Sequence, residues 1–245
     1  RITIALSDRV VALSNQDRRE QIELNLGPED KFSVVQNGIN FEAYNQNDFD
    51  TEISDLPGLP VETEGPVILN VGRLVREKGQ ATLIEAVHQL RSNYPGVMAL
   101  LVGDGPNRDH LLNKIDRLDL EEHVKLVGSV SNVEPYYHRA DLFCFPSQYE
   151  SQGMAVMEAM AAGLPVISTI EGGLAELIEP GKNALVVRPG EPDEITSAVS
   201  DLLDNDQKRR RLAEAAQETI RGSYTLDALT NRTISLYRTV LGQSE

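Results

Sequence analysis

The sequence predicts an α/β protein, a Rossmann-like parallel sheet flanked by helices. Three observations carry this. From residue 66 onward, short apolar runs alternate with segments whose apolar residues recur at helical spacing. Runs such as "ALLV" (99–102) and "LFCF" (142–145) are continuously apolar, as expected of strands buried on both faces. The length of 245 residues, 40% of them hydrophobic, suffices for one large α/β domain or for one domain with pieces of another.

The elements follow in order. "ITIALS" (2–7), "VVALS" (10–14) and "KFSVVQNGIN" (31–40) read as strands, the last with a turn at Asn37–Gly38. Residues 41–66 hold seven acids, three prolines and no Lys or Arg, the composition of an exposed linker. Strands are then expected at 66–72, 97–105, 123–130, 140–147, 164–169 and 184–190. Between them, helices are expected at 78–94, 108–120, 133–140, 153–163 and 172–179, and two more within 192–220. In such sheets ligands sit beyond the carboxyl ends of the strands, so the strand-to-helix loops are where chemistry is sought.

Bulk charge narrows the field. A formal charge of −15 argues against nucleic acid or an anionic membrane surface as partner of the whole protein. An anionic ligand then needs a local basic cluster. The single cysteine, Cys144, excludes an internal disulfide and a cysteine-based zinc site, and its apolar run marks it as a buried thiol. One such thiol is compatible with a reducing cytosol, and a cytoplasmic location is the expectation. No run approaches the ~18 apolar residues of a membrane span.

Four loops remain. In "VGRLVREKGQ" (71–80), Gly72 lets the backbone approach a ligand, and Arg73 and Lys78 suit phosphate oxygens. The same residues suit a solvated turn, and the spacing is not that of a P-loop. "LLVGDGPNRD" (100–109) resembles the start of a dinucleotide fingerprint but has Arg108 in place of its third glycine, so a plain glycine turn explains it. "LVGSVSNVEP" (126–135) ends a strand in small residues whose backbone, around Val130, can meet a flat base. The fourth loop opens "PSQYESQGMAVMEAMAAGLPVIST" (146–169). A helix starting near Gly153 leaves the amides of Gly153, Met154 and Ala155 free to bind an anion. Glu150 precedes that helix and Glu158 lies within it, about 7.5 Å beyond Gly153. Carboxylates at such an offset can accept hydrogen bonds from the hydroxyls of two sugars joined through a pyrophosphate. A helix-capping Glu150 and an exposed Glu158 are the plainer alternative.

Other motifs carry less. "DFD" (48–50) has the spacing of a metal-holding pair but sits in the acidic linker with no strand feeding it. "NRT" (231–233) fits a glycosylation sequon inside a helical stretch, and the four histidines show no metal-ligand spacing.

Taken together, "NVGRLVREKGQATLIEA", "LLVGDGP", "VKLVGSV", "YYHRADLFCFPSQYESQGMAVMEAMAAGLPVIST" and "GGLAELI" resemble the retaining glycosyltransferases of family 4, which have the GT-B fold. The resemblance implies four regions. Residues 1–40 are trailing strands of an N-terminal domain, 41–66 an acidic linker, 67–220 the nucleotide-sugar-binding domain, and 221–245 a terminal helix leaning on the N-terminal domain. It further implies that Arg73 and Lys78 contact the donor diphosphate and that Glu150 faces the donor sugar. Glu158 binds the ribose diol, Gly72, Gly153 and Met154 approach the donor, and Val130 meets the base. The implied donor is a UDP-, GDP- or ADP-linked sugar, with no metal and no further cofactor. The implied partners are that nucleotide sugar and the protein's own N-terminal domain, which holds an acceptor the sequence does not identify. One departure stands out: where the family has "GFG" or "PFG" after the first glutamate, this chain has "SQG", with Ser151 and Gln152. Two rival readings keep part of the picture. One is a GT-B epimerase or phosphorylase, and the other is a non-catalytic nucleotide-sensing or interaction module.

Overall fold

The computed structural model of the protein describes residues 4, 6–45, 56–58 and 64–242. Near the start, β1 (Val10–Ala12) pairs in parallel with β2 (Phe32–Val34), with α1 (Asn15–Glu23) between them. Ser14 caps α1 by accepting from the Asp17 amide at 3.0 Å. A short helix α2 (Phe41–Asn45) leads toward the main body.

The main sheet has six parallel strands, β3 (Val67–Val71), β4 (Met98–Val102), β5 (Val124–Gly128), β6 (Leu142–Phe145), β7 (Val166–Ser168) and β8 (Leu185–Val186), in the order β5-β4-β3-β6-β7-β8. Between them run α3 (Gln80–Leu90), α4 (Arg108–Arg117), α5 (Glu134–Arg139), α6 (Met154–Ala161) and α7 (Leu174–Leu177). The chain closes with α8 (Pro192–Asp204), α9 (Asp206–Ser223) and α10 (Leu226–Val240).

Alternation along the strands divides the core in two. Val67 and Leu69 of β3, Leu100 of β4 and Phe143 of β6 point to one face, where Val156, Met157 and Met160 of α6 and Ile220 of α9 cover them. Ile68, Leu101, Leu142 and Cys144 point to the other, under α3, α4 and α8. On α3 the buried residues Leu83, Ile84, Val87 and Leu90 form one helical stripe, so truncating Leu83 to Ala would cost about 2–5 kcal/mol. Pro192 at the first turn of α8 and Asn205, which accepts from the Lys208 amide at 3.0 Å at the start of α9, set the ends of these helices.

The central geometry follows from this division. β3 and β6 are neighbours, yet the chain leaving β3 enters a helix on one face and the chain leaving β6 enters a helix on the other. A crevice opens at their carboxyl ends.

Several expectations are revised. Ile4 and Leu6 are helical, so "ITIALS" is not the first strand, and its positions 2, 3 and 5 lie outside the described residues. Asn37–Gly38 makes no hairpin turn. A Cβ on Gly38 would lie 2.0 Å from the Thr225 carbonyl oxygen, so glycine serves a close chain crossing beside the Ile39–Thr225 bridge. Segment 41–66 is not exposed throughout: Phe41 and Leu56 are buried, and Phe41 lies under the Arg221 guanidinium at 4.8 Å. The "DFD" motif lies outside the described residues. Lys78 belongs to a 3₁₀ turn, Arg76–Lys78, because Gly79 takes a left-handed conformation and delays α3 to Gln80. Among the described residues no helix is long and apolar enough to cross a membrane.

Candidate functional site

The loop after β3 is held from both sides. Gly103 and Gly105 allow the next loop to pack on it, since Cβ atoms there would sit 2.1 Å from the Gly72 oxygen and 2.4 Å from the Leu74 oxygen. This accounts for the glycines of "VGDG" without a dinucleotide. The Leu74 amide donates to the Asp104 oxygen at 2.9 Å, and the buried Gln80 amide group donates to the Arg73 oxygen at 3.1 Å. Gly72 itself stays open, for a Cβ there would meet only the Phe145 ring, at 3.7 Å.

The loop after β6 interlocks with the first. The Gln148 amide donates to the Glu77 oxygen at 2.7 Å, and Ser147 Oγ lies 3.2 Å from the same oxygen. Thr169 Oγ1 donates to the Ser147 oxygen at 2.6 Å. Further along, the Gly173 amide donates to the Glu150 oxygen at 2.7 Å. Cβ atoms on Gly172 and Gly173 would fall 2.2 Å from the Glu150 oxygen and 1.8 Å from the Ser151 oxygen, so main chain clamps main chain.

Between the loops lies a cleft of about 400 Å³ whose walls include Gly72, Arg73, Lys78, Glu150, Gly153 and Met154. The sequence separates these residues, and the fold brings them together. Lys78 Nζ is bonded to Glu150 Oε1 and stands 5.5 Å from the centroid of the Phe145 ring. Ser147 Oγ is a further partner of Glu150 Oε1 at 3.3 Å, so this carboxylate does not cap the helix. Burial lowers the Lys78 pKa and the Arg73 charge lowers it further, partly opposed by Glu77. Arg73 is exposed at the rim. Gly153, at φ +77°, starts α6 without a side-chain cap, and Gly153, Met154 and Ala155, at the helix end whose amides lack intrahelical partners, line the cleft. Two cations and a helix N-terminus therefore converge on one concavity, the arrangement that binds a phosphate anion.

Val130 and Glu158 do not line this cleft. Val130 packs half-buried against the core. Glu158, far from being exposed, accepts from the Tyr137 hydroxyl at 2.7 Å, with Tyr44 a second hydroxyl partner. Burial raises its pKa, the two hydroxyls lower it, and Glu134 raises it again, with a net upward shift. The tyrosine partners carry no signal in the sequence, since "YY" on a short helix reads as packing. Leu13 and Asn37, which also line the cleft, come from the first 40 residues and were likewise not anticipated.

The sheet, with helices on both faces and a cleft at its carboxyl end, has the Rossmann-like architecture of the GT-B class. Residues 52–219 match the family described as glycosyl transferases group 1, and the chain belongs to that family. Among curated relatives, it is 33% identical over 182 residues to the lipopolysaccharide core biosynthesis glycosyltransferase LpsE of Rhizobium meliloti, covering 74% of this chain and 52% of that one. It is 32% identical over 177 residues to the alpha-D-kanosaminyltransferase of Streptomyces kanamyceticus, covering 71% and 46%. Among solved structures, Anabaena HepE in complex with UDP and glucose superposes with a TM-score of 0.87 at 27% identity, over 96% of this chain and 64% of that one. The chain thus spans about half the length of these two curated relatives.

Proposed function

We propose that the chain is the donor-binding half of a retaining glycosyltransferase, taking a sugar from a nucleoside-diphosphate sugar to an acceptor held by an N-terminal domain. The observation that carries this is the cleft in which Arg73, Lys78 and the N-terminus of α6 face one another, with Glu150 beside them. Structural relatives support uracil as the first base to test, because HepE has been solved with UDP and with UDP-glucose.

In this reading the diphosphate lies against Arg73, Lys78 and the amides of Gly153 and Met154, with Gly72 leaving room for close approach. Glu150 faces the sugar hydroxyls. Glu158 takes the ribose diol, and the backbone at Val130 meets the base. As the bond from the anomeric carbon to the diphosphate oxygen breaks, its electron pair leaves with the phosphate. The acceptor oxygen bonds to that carbon on the same face and gives its proton to the departing diphosphate oxygen. Charge growing on the phosphate is met by two fixed cations and a helix N-terminus, so stabilisation needs no metal.

The N-terminal half would dock where the chain offers an uncovered apolar face. None of α10 is buried, Leu226, Ile234 and Tyr237 are exposed, and a cavity of about 580 Å³ opens beside Val11, Leu13 and Val35. A cytoplasmic setting belongs to the same proposal and is tested by cell fractionation.

A thermal-shift panel of UDP, GDP, ADP and their sugars tests the reading. A rise in Tm with one nucleoside diphosphate, lost in Arg73→Ala, is the expected result. No rise with any of them would favour an interaction module.

A further inference from the structure

We infer that Tyr44 is an intramolecular competitor of the nucleotide for Glu158 and thereby sets how tightly the nucleotide is held. The inference rests on the role proposed for Glu158, that of holding the ribose diol. That carboxylate does not stand open. Its Oε2 accepts from the Tyr137 hydroxyl at 2.7 Å, and the Tyr44 hydroxyl is its second partner. The two tyrosine rings meet edge to face, with 5.7 Å between centroids and planes at 79°. Glu158 is half-buried and forms no part of the cleft wall that Lys78 and Glu150 share.

The two hydroxyls differ in position. Tyr137 is fully buried, and its oxygen also lies 3.2 Å from the Ala155 carbonyl oxygen in the first turn of α6. Tyr44 is only half-buried and comes from α2, ahead of the main sheet in the chain. A ligand reaching the carboxylate from solvent therefore meets Tyr44, while Tyr137 stays beneath.

The Tyr44 hydroxyl can leave without its helix. Phe41 anchors α2 under the Arg221 guanidinium, and Asn45 Oδ1 accepts from Gln217 Nε2 at 3.0 Å. Rotation about the side-chain bonds swings the phenol aside while both anchors hold.

The exchange is close to balanced. A carboxylate withdrawn from water is costly without donors, and Glu134 adds a like charge nearby, so the chain keeps a hydroxyl of its own on Glu158. The ribose brings hydroxyls of the same kind. Each bond it gains replaces one given up, and apparent affinity falls by the fraction of chains in which Tyr44 occupies the carboxylate. The effect applies equally to the donor and to the nucleoside diphosphate left after transfer, whose departure it favours.

Calorimetry on the 245-residue chain with UDP and with its dideoxyribose analogue, which lacks the diol, tests this. Tyr44→Phe keeps the ring and its packing and removes only the competing hydroxyl. It is expected to bind UDP about fivefold more tightly than wild type, the effect of one hydrogen bond, and the analogue no differently. If Tyr44→Phe fails to fold, Tyr44→Leu is read in the same way. A residue with a purely structural role would weaken both ligands or neither. Unchanged or weaker UDP binding in the variant overturns the inference, as does an equal gain for both ligands. Equal wild-type affinity for the two ligands overturns it too, because the diol then does not reach Glu158. If the wild-type chain nonetheless binds UDP and Arg73→Ala abolishes it, the donor reading survives those failures. If the wild-type chain binds neither ligand, the donor reading fails and this inference falls with it.

Discussion

Lys78 and Glu150, 72 positions apart, are bonded to each other across the cleft, joining the loop after β3 to the loop after β6. Their side chains are 20% and 13% exposed, so the ion pair sits in a half-desolvated setting. The carboxylate holds the ammonium at the place that the proposed function gives to the diphosphate.

Replacing Lys78 strands Glu150 and, on the proposed function, removes a contact to the donor. In an enzyme that carries the N-terminal domain of the proposed function, Lys78→Ala is expected to lose ~2–4 kcal/mol of transition-state stabilisation, read as a fall in kcat/KM. Arg73→Ala, at the exposed rim, should raise KM with little change in Tm. Wild-type kcat/KM in Lys78→Ala would remove it from the mechanism.

Glu158 makes stability depend on pH. Burial holds its folded pKa above the ordinary 4.5, so the folded chain binds this proton more tightly than the unfolded chain does. Ionisation of Glu158 thus opposes folding once pH rises through the folded value, and this opposition vanishes below about pH 4. Glu158→Gln should melt higher than wild type at pH 8, with the difference shrinking as pH falls. It should also weaken UDP binding about tenfold, as loss of a charged hydrogen-bond acceptor does. A pH-independent offset in Tm would contradict the first expectation.

Two glycines separate strain from steric exclusion. Gly172 and Gly190 have φ of +68° and +80°, but a Cβ on Gly190 meets nothing within 4 Å whereas one on Gly172 meets the Glu150 oxygen at 2.2 Å. Gly190→Ala should lose about 1–2 kcal/mol, the left-handed penalty alone. Gly172→Ala should lose more and also weaken nucleotide binding, because the Glu150 loop must move. Equal urea midpoints for the two variants would refute the clamp.

Glu176 fastens the first unit to the main body. Its carboxylate accepts from the Asn15 amide at 2.7 Å, Asn15 Nδ2 at 3.0 Å, the Gln16 amide at 3.2 Å and Gln36 Nε2 at 3.2 Å. Glu176→Gln puts a donor where two donors already point, and a loss of about 1–2 kcal/mol in chemical denaturation is expected.

The parallel sheet was legible because strands such as β4 and β6 are unbroken apolar runs and helices such as α3 carry a buried stripe. The cluster of Gly72, Arg73, Lys78, Glu150, Gly153 and Met154 was legible because each sits just after a strand, and such loops share one end of a parallel sheet. Partners across long separations were not. Nothing local ties Gln152 to Asn37, or Tyr137 to Glu158, since those bonds exist only once separate elements have packed. The docked Phe41 was hidden for a related reason, as acidic neighbours masked one aromatic anchor. Strand ends were also overcalled: β8 has two residues where seven were expected, since pairing and not hydropathy ends a strand.

Because the crevice falls where the strand order reverses, its two principal walls belong to separable stretches of chain. Gly72–Gln80 comes from before the surface turn at Asp119–Glu122, and Ser147–Ala155 from after it. A polypeptide cut at that turn would yield two pieces, each bringing one side of the pocket. Reassembly would then report on occupancy, which makes this fold a natural scaffold for a two-part biosensor.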